Sequence, residues 1–212
     1  MKPSDAFFEL VKAQFAPMLR AGGFKGSGRT FRRIGSGCVH LVNLQTSMSG
    51  GQCAVNLAIE FAFLPSVEAT GIQQHECDFR RRLCPDSIKS DYWWDFGDGG
   101  SSTRESVSHL IETYVRVGGP YFSRFGELPG VYADITTEDL RTPSKDKLPG
   151  GTTEVRYALK LAQMWLHLQQ PAKAKDFILF GLATCGPMAT GIRGQLKKLL
   201  NEADQAEGGN MV

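Results

Sequence analysis

The sequence predicts an α+β protein: an antiparallel sheet flanked by helices, with a C-terminal antiparallel helical hairpin. Three observations carry that expectation. Residues 52–63, QCAVNLAIEFAF, alternate apolar with small or polar side chains, the period of a strand with one buried face. The chain opens on apolar residues at helical spacing, closed by two glycines. From Thr153 onward the spacing is helical again, restarted at Pro171.

Taken in order, Ser4 is placed to cap an opening helix whose Phe7, Phe8, Val11, Phe15, Met18 and Leu19 share a face, and Gly22-Gly23 ends it. Two β-like runs follow, RTFRRI (29–34) and CVHLVNLQTS (38–47). The turn MSGG then leads into 52–63. A four-residue loop over Met48–Gly51 sets Ser47 opposite Gln52, so Val42 meets Leu57, Leu44 meets Val55 and His40 meets Ile59. A one-residue slip would put Asn43 against Val55 and mix the faces, so burial selects the first register. The opposite face then offers Asn43, Gln45, Asn56 and Glu60 among alanines, either simply wet or the floor of a groove.

Residues 64–90 are mixed. DYWWDF (91–96) reads as a short strand and GDGG as its exit. Ser102 with Glu105 forms a capping box for a helix with Val107, Leu110, Ile111, Tyr114 and Val115 on one face, ended by Gly118-Gly119-Pro120. Beyond it, YFSRF is expected as a short helix and VYADIT as extended chain. The last third reads as EVRYALKLAQMWLHLQQ, AKAKDFILFGLATC and TGIRGQLKKLLNEA, three helices with short connections. Its small–large alternation is similar to that of tetratricopeptide-type hairpins, but no second copy occurs at a fixed period. The expected organisation is an α+β domain over 1–150, a helical hairpin over 151–206 packed on it, and a flexible tail over 207–212.

A composition 42% apolar and 22% charged is that of an ordinary globular chain. The net charge of +2 excludes a strongly basic nucleic-acid binder, although the balance runs from +5 over residues 1–40 to −7 over 60–140 and +4 over 141–212. Five cysteines without paired spacing point to a reducing compartment, and the start shows no apolar stretch of signal or membrane length, so a cytoplasmic protein is expected.

LRAGGFKGSGRTFRR (19–33), VNLQTS (42–47), AVNLAIEF (54–61) and DYWW (91–94) occur in an order that resembles a bacterial family catalogued as domain of unknown function 4304. The resemblance spans the first half to two thirds of the chain and implies a compact α+β domain. It brings no reaction, cofactor or catalytic residue; by analogy with bacterial families of this sort it suggests an interaction or toxin-immunity module.

Chemical motifs are weak. GFKGSGRT (23–30) has the glycines of a phosphate loop, but a helix precedes it, a strand follows, and Arg29 replaces the lysine. His75, Cys77, Cys84 and Cys38 lack zinc spacing, and Asp91, Asp95 and Asp98 miss the calcium-loop pattern. The four histidines sit beside no nucleophile motif, so neither metal, cofactor nor catalytic residue is expected. What remains is Arg80-Arg81-Arg82 with Tyr92, Trp93 and Trp94. On a strand the two tryptophans point to opposite faces, leaving one ring for a binding surface. The expected binding residues are Arg32, Asn43, Gln45, Asn56, Glu60, Arg82, Trp93 and Trp94, and the expected partner is another protein. The alternatives are a nucleic-acid or nucleotide binder using Arg29, Arg32 and Arg33 with a stacking tryptophan, and a hydrolase on the polar hairpin face.

Overall fold

The computed structural model describes residues 2–65, 71–88, 91–144 and 146–209. The chain divides into two compact units, Met1–Leu128 and Pro129–Val212; residues 129–150 thus fall with the helical unit.

The first unit opens with α1 (Pro3–Leu10) and α2 (Ala16–Ala21), joined without a break by a π-helical turn, Val11–Phe15. Ser4 does not cap it. Pro3 takes the first turn, where its missing N–H costs nothing, and Lys2 is the N-cap without a side-chain bond. At the other end Gly23 adopts φ +84°, a conformation that suits glycine. Its N–H reaches the Arg20 carbonyl while the Phe24 N–H reaches that of Leu19, closing the helix as a Schellman motif. Phe24 and Leu19 are both buried there.

The sheet contains β1 (Lys25–Ser27), β2 (Thr30–Gly35), β3 (Cys38–Thr46), β4 (Gln52–Phe61), β5 (Phe79–Arg82) and β6 (Trp94–Asp95). Their order is β1-β2-β3-β4-β5, with β6 also on β4, and every pairing is antiparallel. The β3–β4 register is the expected one: Val42 faces Leu57, Leu44 faces Val55, and the Ser47 N–H donates to the Gln52 carbonyl across the Met48–Gly51 loop. β1 and β5 were not expected as strands. FRRR reads as a solvated charge run, yet Phe79 and Leu83 are buried, and Arg81, pointing the same way, is covered by the Tyr121 ring.

One face of the sheet carries the main core of this unit. Phe31, Val42, Leu57, Phe61, Phe79 and Trp94 are buried there, and Phe122 stacks on His40 of that face. The other face is not lightly covered, as period two suggested. Every residue from Cys53 to Phe61 is buried, because β4 is a central strand and the segment around Ile72 and Cys77 closes a second cluster over Val39, Leu41 and Ala58.

The second helical element also differs from expectation. α3 (Ser101–Thr113) runs through a π turn, Tyr114–Gly118, into α4 (Gly119–Phe125). Gly118 does not end it; a Cβ there would lie 2.6 Å from the Tyr114 ring, so the glycine makes room for that ring. The buried stripe is Thr103, Val107, Leu110, Thr113 and Tyr114, while Val115 faces water. The Ser102–Glu105 capping box is absent because the helix starts at Ser101. The Ser102 hydroxyl instead donates to Asp98 Oδ1 and accepts from the Asp98 N–H, and that bond, with one from the Gly100 N–H, lowers the Asp98 pKa.

In the second unit Gly130–Asp134 is a 3-10 turn, correcting the extended reading of VYADIT. α5 (Thr137–Arg141) is capped by a reciprocal Thr136–Asp139 box. α6 (Glu154–His167), α7 (Pro171–Thr184) and α8 (Thr190–Gly209) then pack together, with Gly181 against Leu196 and Ala158. The three-residue link between α6 and α7 makes them antiparallel neighbours. α8 continues through Gly209; the rest of the expected tail, 210–212, lies outside the described residues.

His40 is 4% exposed. Its Nδ1 accepts from Arg33 Nε (3.0 Å) and its Nε2 lies 2.8 Å from the Gly126 carbonyl. A carbonyl only accepts, so Nε2 carries the proton and the ring is neutral. Burial, with the Arg33 charge adding to it, lowers its pKa from 6.5 to about 4 against the opposing pull of the Gly126 bond. Above pH 6.5 both folded and unfolded chains hold it neutral. Between pH 6.5 and 4 only the unfolded chain takes up the proton, so folding stability falls by about 3 kcal/mol across that window. Urea denaturation of wild type and His40→Gln across it should show the wild-type excess loss disappearing in the variant. Gly126→Ala should cost about 2 kcal/mol at pH 7, since the new Cβ would lie 2.3 Å from His40 Nε2.

Candidate functional site

Antiparallel pairing brings Thr30, Asn43, Asn56 and Arg82 into one row across four strands, each opposite the next. All four project to the face away from the main core. Arg82 Nη1 donates to Asn56 Oδ1 at 2.9 Å, Asn56 Nδ2 donates to Asn43 Oδ1 at 3.3 Å, and Asn43 Nδ2 donates to Thr30 Oγ1 at 3.0 Å. Gln45 Oε1 accepts from both Arg82 and Asn56 at 3.1 Å. The donation runs one way from a cation into neutral amides, so each bond polarises the next. The guanidinium carbon also lies 5.0 Å from the Trp93 ring centroid, and its Nε is 3.5 Å from Asp91 Oδ2. The ladder thus ends in a part-exposed indole held by an arginine.

The other expected residues have different places. Trp94 is 1% exposed and lies in the main core, ring to ring with Tyr92; of the pair, Trp93 is the ring near the surface. Glu60, also 1% exposed, accepts the backbone N–H groups of Phe61 and Asp78, both at 2.9 Å. It ties the chain before β5 to the sheet and does not reach the surface. Arg32 lies on the same face as the ladder but gives its Nε to the Ile72 carbonyl at 2.7 Å. Asn56 is 5% exposed, so a ligand would meet Gln45, Arg82 and Trp93 with Asn56 beneath them. Thr30 was not singled out from the sequence, although it sits two residues before Arg32 on the same strand face.

Arg33 is occupied too, between His40 and the Gly22 carbonyl. Burial pushes the thiols of Cys38 and Cys53 up to about 12, keeping them protonated. Among the described residues no three His, Cys, Asp or Glu side chains gather where a metal could bind, and no helix is long and apolar enough to cross a membrane. What the site offers is a hydrogen-bonded row of amide and guanidinium groups beside an aromatic face.

The geometry defines an α+β protein with one greasy and one polar-laddered sheet face. The chain belongs to the family described as Domain of unknown function (DUF4304), whose model matches residues 15–124. That span includes the helix end, all six strands and α3, and therefore the whole ladder. No curated protein and no solved structure matches the chain.

Asn56 bonds three side chains from a buried position, so Asn56→Ala should destabilise by about 2 kcal/mol in urea denaturation. Gln45→Ala, at an exposed end of the same network, should cost less than about 1 kcal/mol. Equal losses would show that the ladder is not organised around Asn56.

Proposed function

We propose that the protein is a cytoplasmic, non-enzymatic protein-interaction module, regulatory or immunity-like, whose contact surface is the ladder end of the sheet. The observation that supports this most is Trp93 under the Arg82 guanidinium. Tryptophan and arginine lead the residues on which interface energy concentrates, and here both are held in place before a partner arrives, which reduces the ordering cost of association. The inner ladder supplies satisfied hydrogen bonds beneath, so a partner covering it would strand few polar groups.

The nucleic-acid reading has less support. Of its three arginines, Arg32 is engaged with the Ile72 carbonyl and Arg33 with His40 and Gly22, leaving Arg29, whose guanidinium lies over Phe8. The hydrolase reading is weakened by Glu60, whose carboxylate is buried on two backbone N–H groups.

Affinity capture on tagged protein, followed by titration of the partner identified, tests the proposal. Trp93→Ala should weaken that partner's binding about thirtyfold, equivalent to about 2 kcal/mol, while the melting temperature stays close to wild type. Full affinity in a folded Trp93→Ala variant would reject this surface.

A further inference from the structure

The strand order runs from β1 at one edge of the sheet to β5 at the other. The Leu83 N–H, just past β5, donates to the Val55 carbonyl of β4. Main-chain groups of an antiparallel strand point to alternate sides, so Phe79 and Arg81 turn theirs toward β4 while Arg80 and Arg82 turn theirs outward. Among the described residues, no strand pairs with that outer side, and no group bonds the outward N–H and carbonyl groups of Arg80 and Arg82. The opposite edge differs: β1 is three residues long, and the carbonyl of its central Gly26 accepts from Arg20 Nη2 at 3.3 Å. An unpaired row of main-chain donors and acceptors is a template for an added strand.

The side chains select the guest. Arg80 lies opposite Ala58, so it shares the ladder face with Arg82, which lies opposite Asn56. Arg80 is partly exposed and has no acidic partner among the described residues. Arg82 is already shared with Asp91 at 3.5 Å, so the charge left for a guest is that of Arg80. A second copy of this chain is the wrong guest, because two β5 strands side by side would bring like charges together.

We infer that β5 accepts an extended acidic segment of the partner protein as a further strand of the sheet. The main chain of that segment bonds the outward groups of Arg80 and Arg82, and an Asp or Glu on its ladder-side face meets the Arg80 guanidinium. The inference rests on the reading of the ladder end as a protein contact, since Arg82 belongs to both, and it adds the form and charge of what binds there.

Residue-resolved amide hydrogen exchange on the full-length protein tests this, with three capped peptides as probes: alternating Glu and Val, alternating Lys and Val, and the Glu–Val peptide with every amide N-methylated. In the free protein the Arg80 and Arg82 amides should exchange fast and that of Arg81 slowly. The Glu–Val peptide should slow the first two at least about tenfold. The Lys–Val peptide lacks the charge and the N-methylated one lacks the main-chain donors, so neither should protect them. Arg80→Glu, melting close to wild type, should weaken Glu–Val binding at least about tenfold and admit the Lys–Val peptide. The inference is overturned if the Glu–Val peptide does not bind at millimolar concentration, if N-methylation leaves its affinity intact, or if the protected amides lie elsewhere. These peptides need no captured partner, so the Trp93→Ala result stands apart from them. A captured partner weakened by Trp93→Ala but indifferent to Arg80→Glu would contact the ladder without adding a strand, which overturns this inference and leaves the surface assignment in place.

Discussion

The pairing of Val42 with Leu57 is the constraint on which the first unit depends. Strand side chains alternate with period two, so this one register sends Val55, Leu57, Ile59 and Phe61 behind the sheet and Asn56, Ala58 and Glu60 in front. A slip by a single residue would exchange the sets and leave a carboxylate and an amide facing the aromatic core. The same register places Asn43 against Asn56. Once β2 and β5 join, the row extends from Thr30 to Arg82. Core and candidate surface are thus two consequences of one alignment.

Helix geometry is bent to the aromatic packing. Both long helical elements of the first unit contain a π turn followed by a proline, at Val11–Phe15 with Pro17 and at Tyr114–Gly118 with Pro120. The two turns meet through their rings: Phe15 and Tyr114 are edge to face at 5.3 Å. A proline inside an α-helix removes a hydrogen bond and crowds the preceding turn; placed just after a wider turn, it is accommodated without ending the helix. Gly118 completes the arrangement by leaving space for the Tyr114 ring.

Polar groups are buried on both faces of the sheet, and they do different work. Behind it, His40 is clamped between Arg33 and the Gly126 carbonyl, which fixes its tautomer and joins β2, β3 and the end of α4. In front, Asn56 hydrogen-bonds side chains of β3 and β5 and supports Arg82 over the Trp93 ring. Each is satisfied by partners on neighbouring elements, and each specifies a single arrangement of its neighbours more sharply than apolar contact would.

Much of this was legible in the order of residues. The strand Gln52–Phe61, expected to run on to residue 63, its hairpin register, the C-terminal helices and the opposed tryptophans follow from periodicity and turn length, which are local properties. So are most members of the ladder, because β3 and β4 are joined by a short loop. The sequence could not decide which tryptophan is the buried one, that β5 exists at all, or that Gly118-Gly119-Pro120 continues a helix. Three arginines in a row read as solvated until Asn56 and Tyr121 are brought beside them, and a Gly-Gly-Pro triplet reads as a stop until the Tyr114 ring lies across it. Those outcomes depend on contacts between residues far apart in the chain, whose energies appear only once the sheet and helices have been assembled.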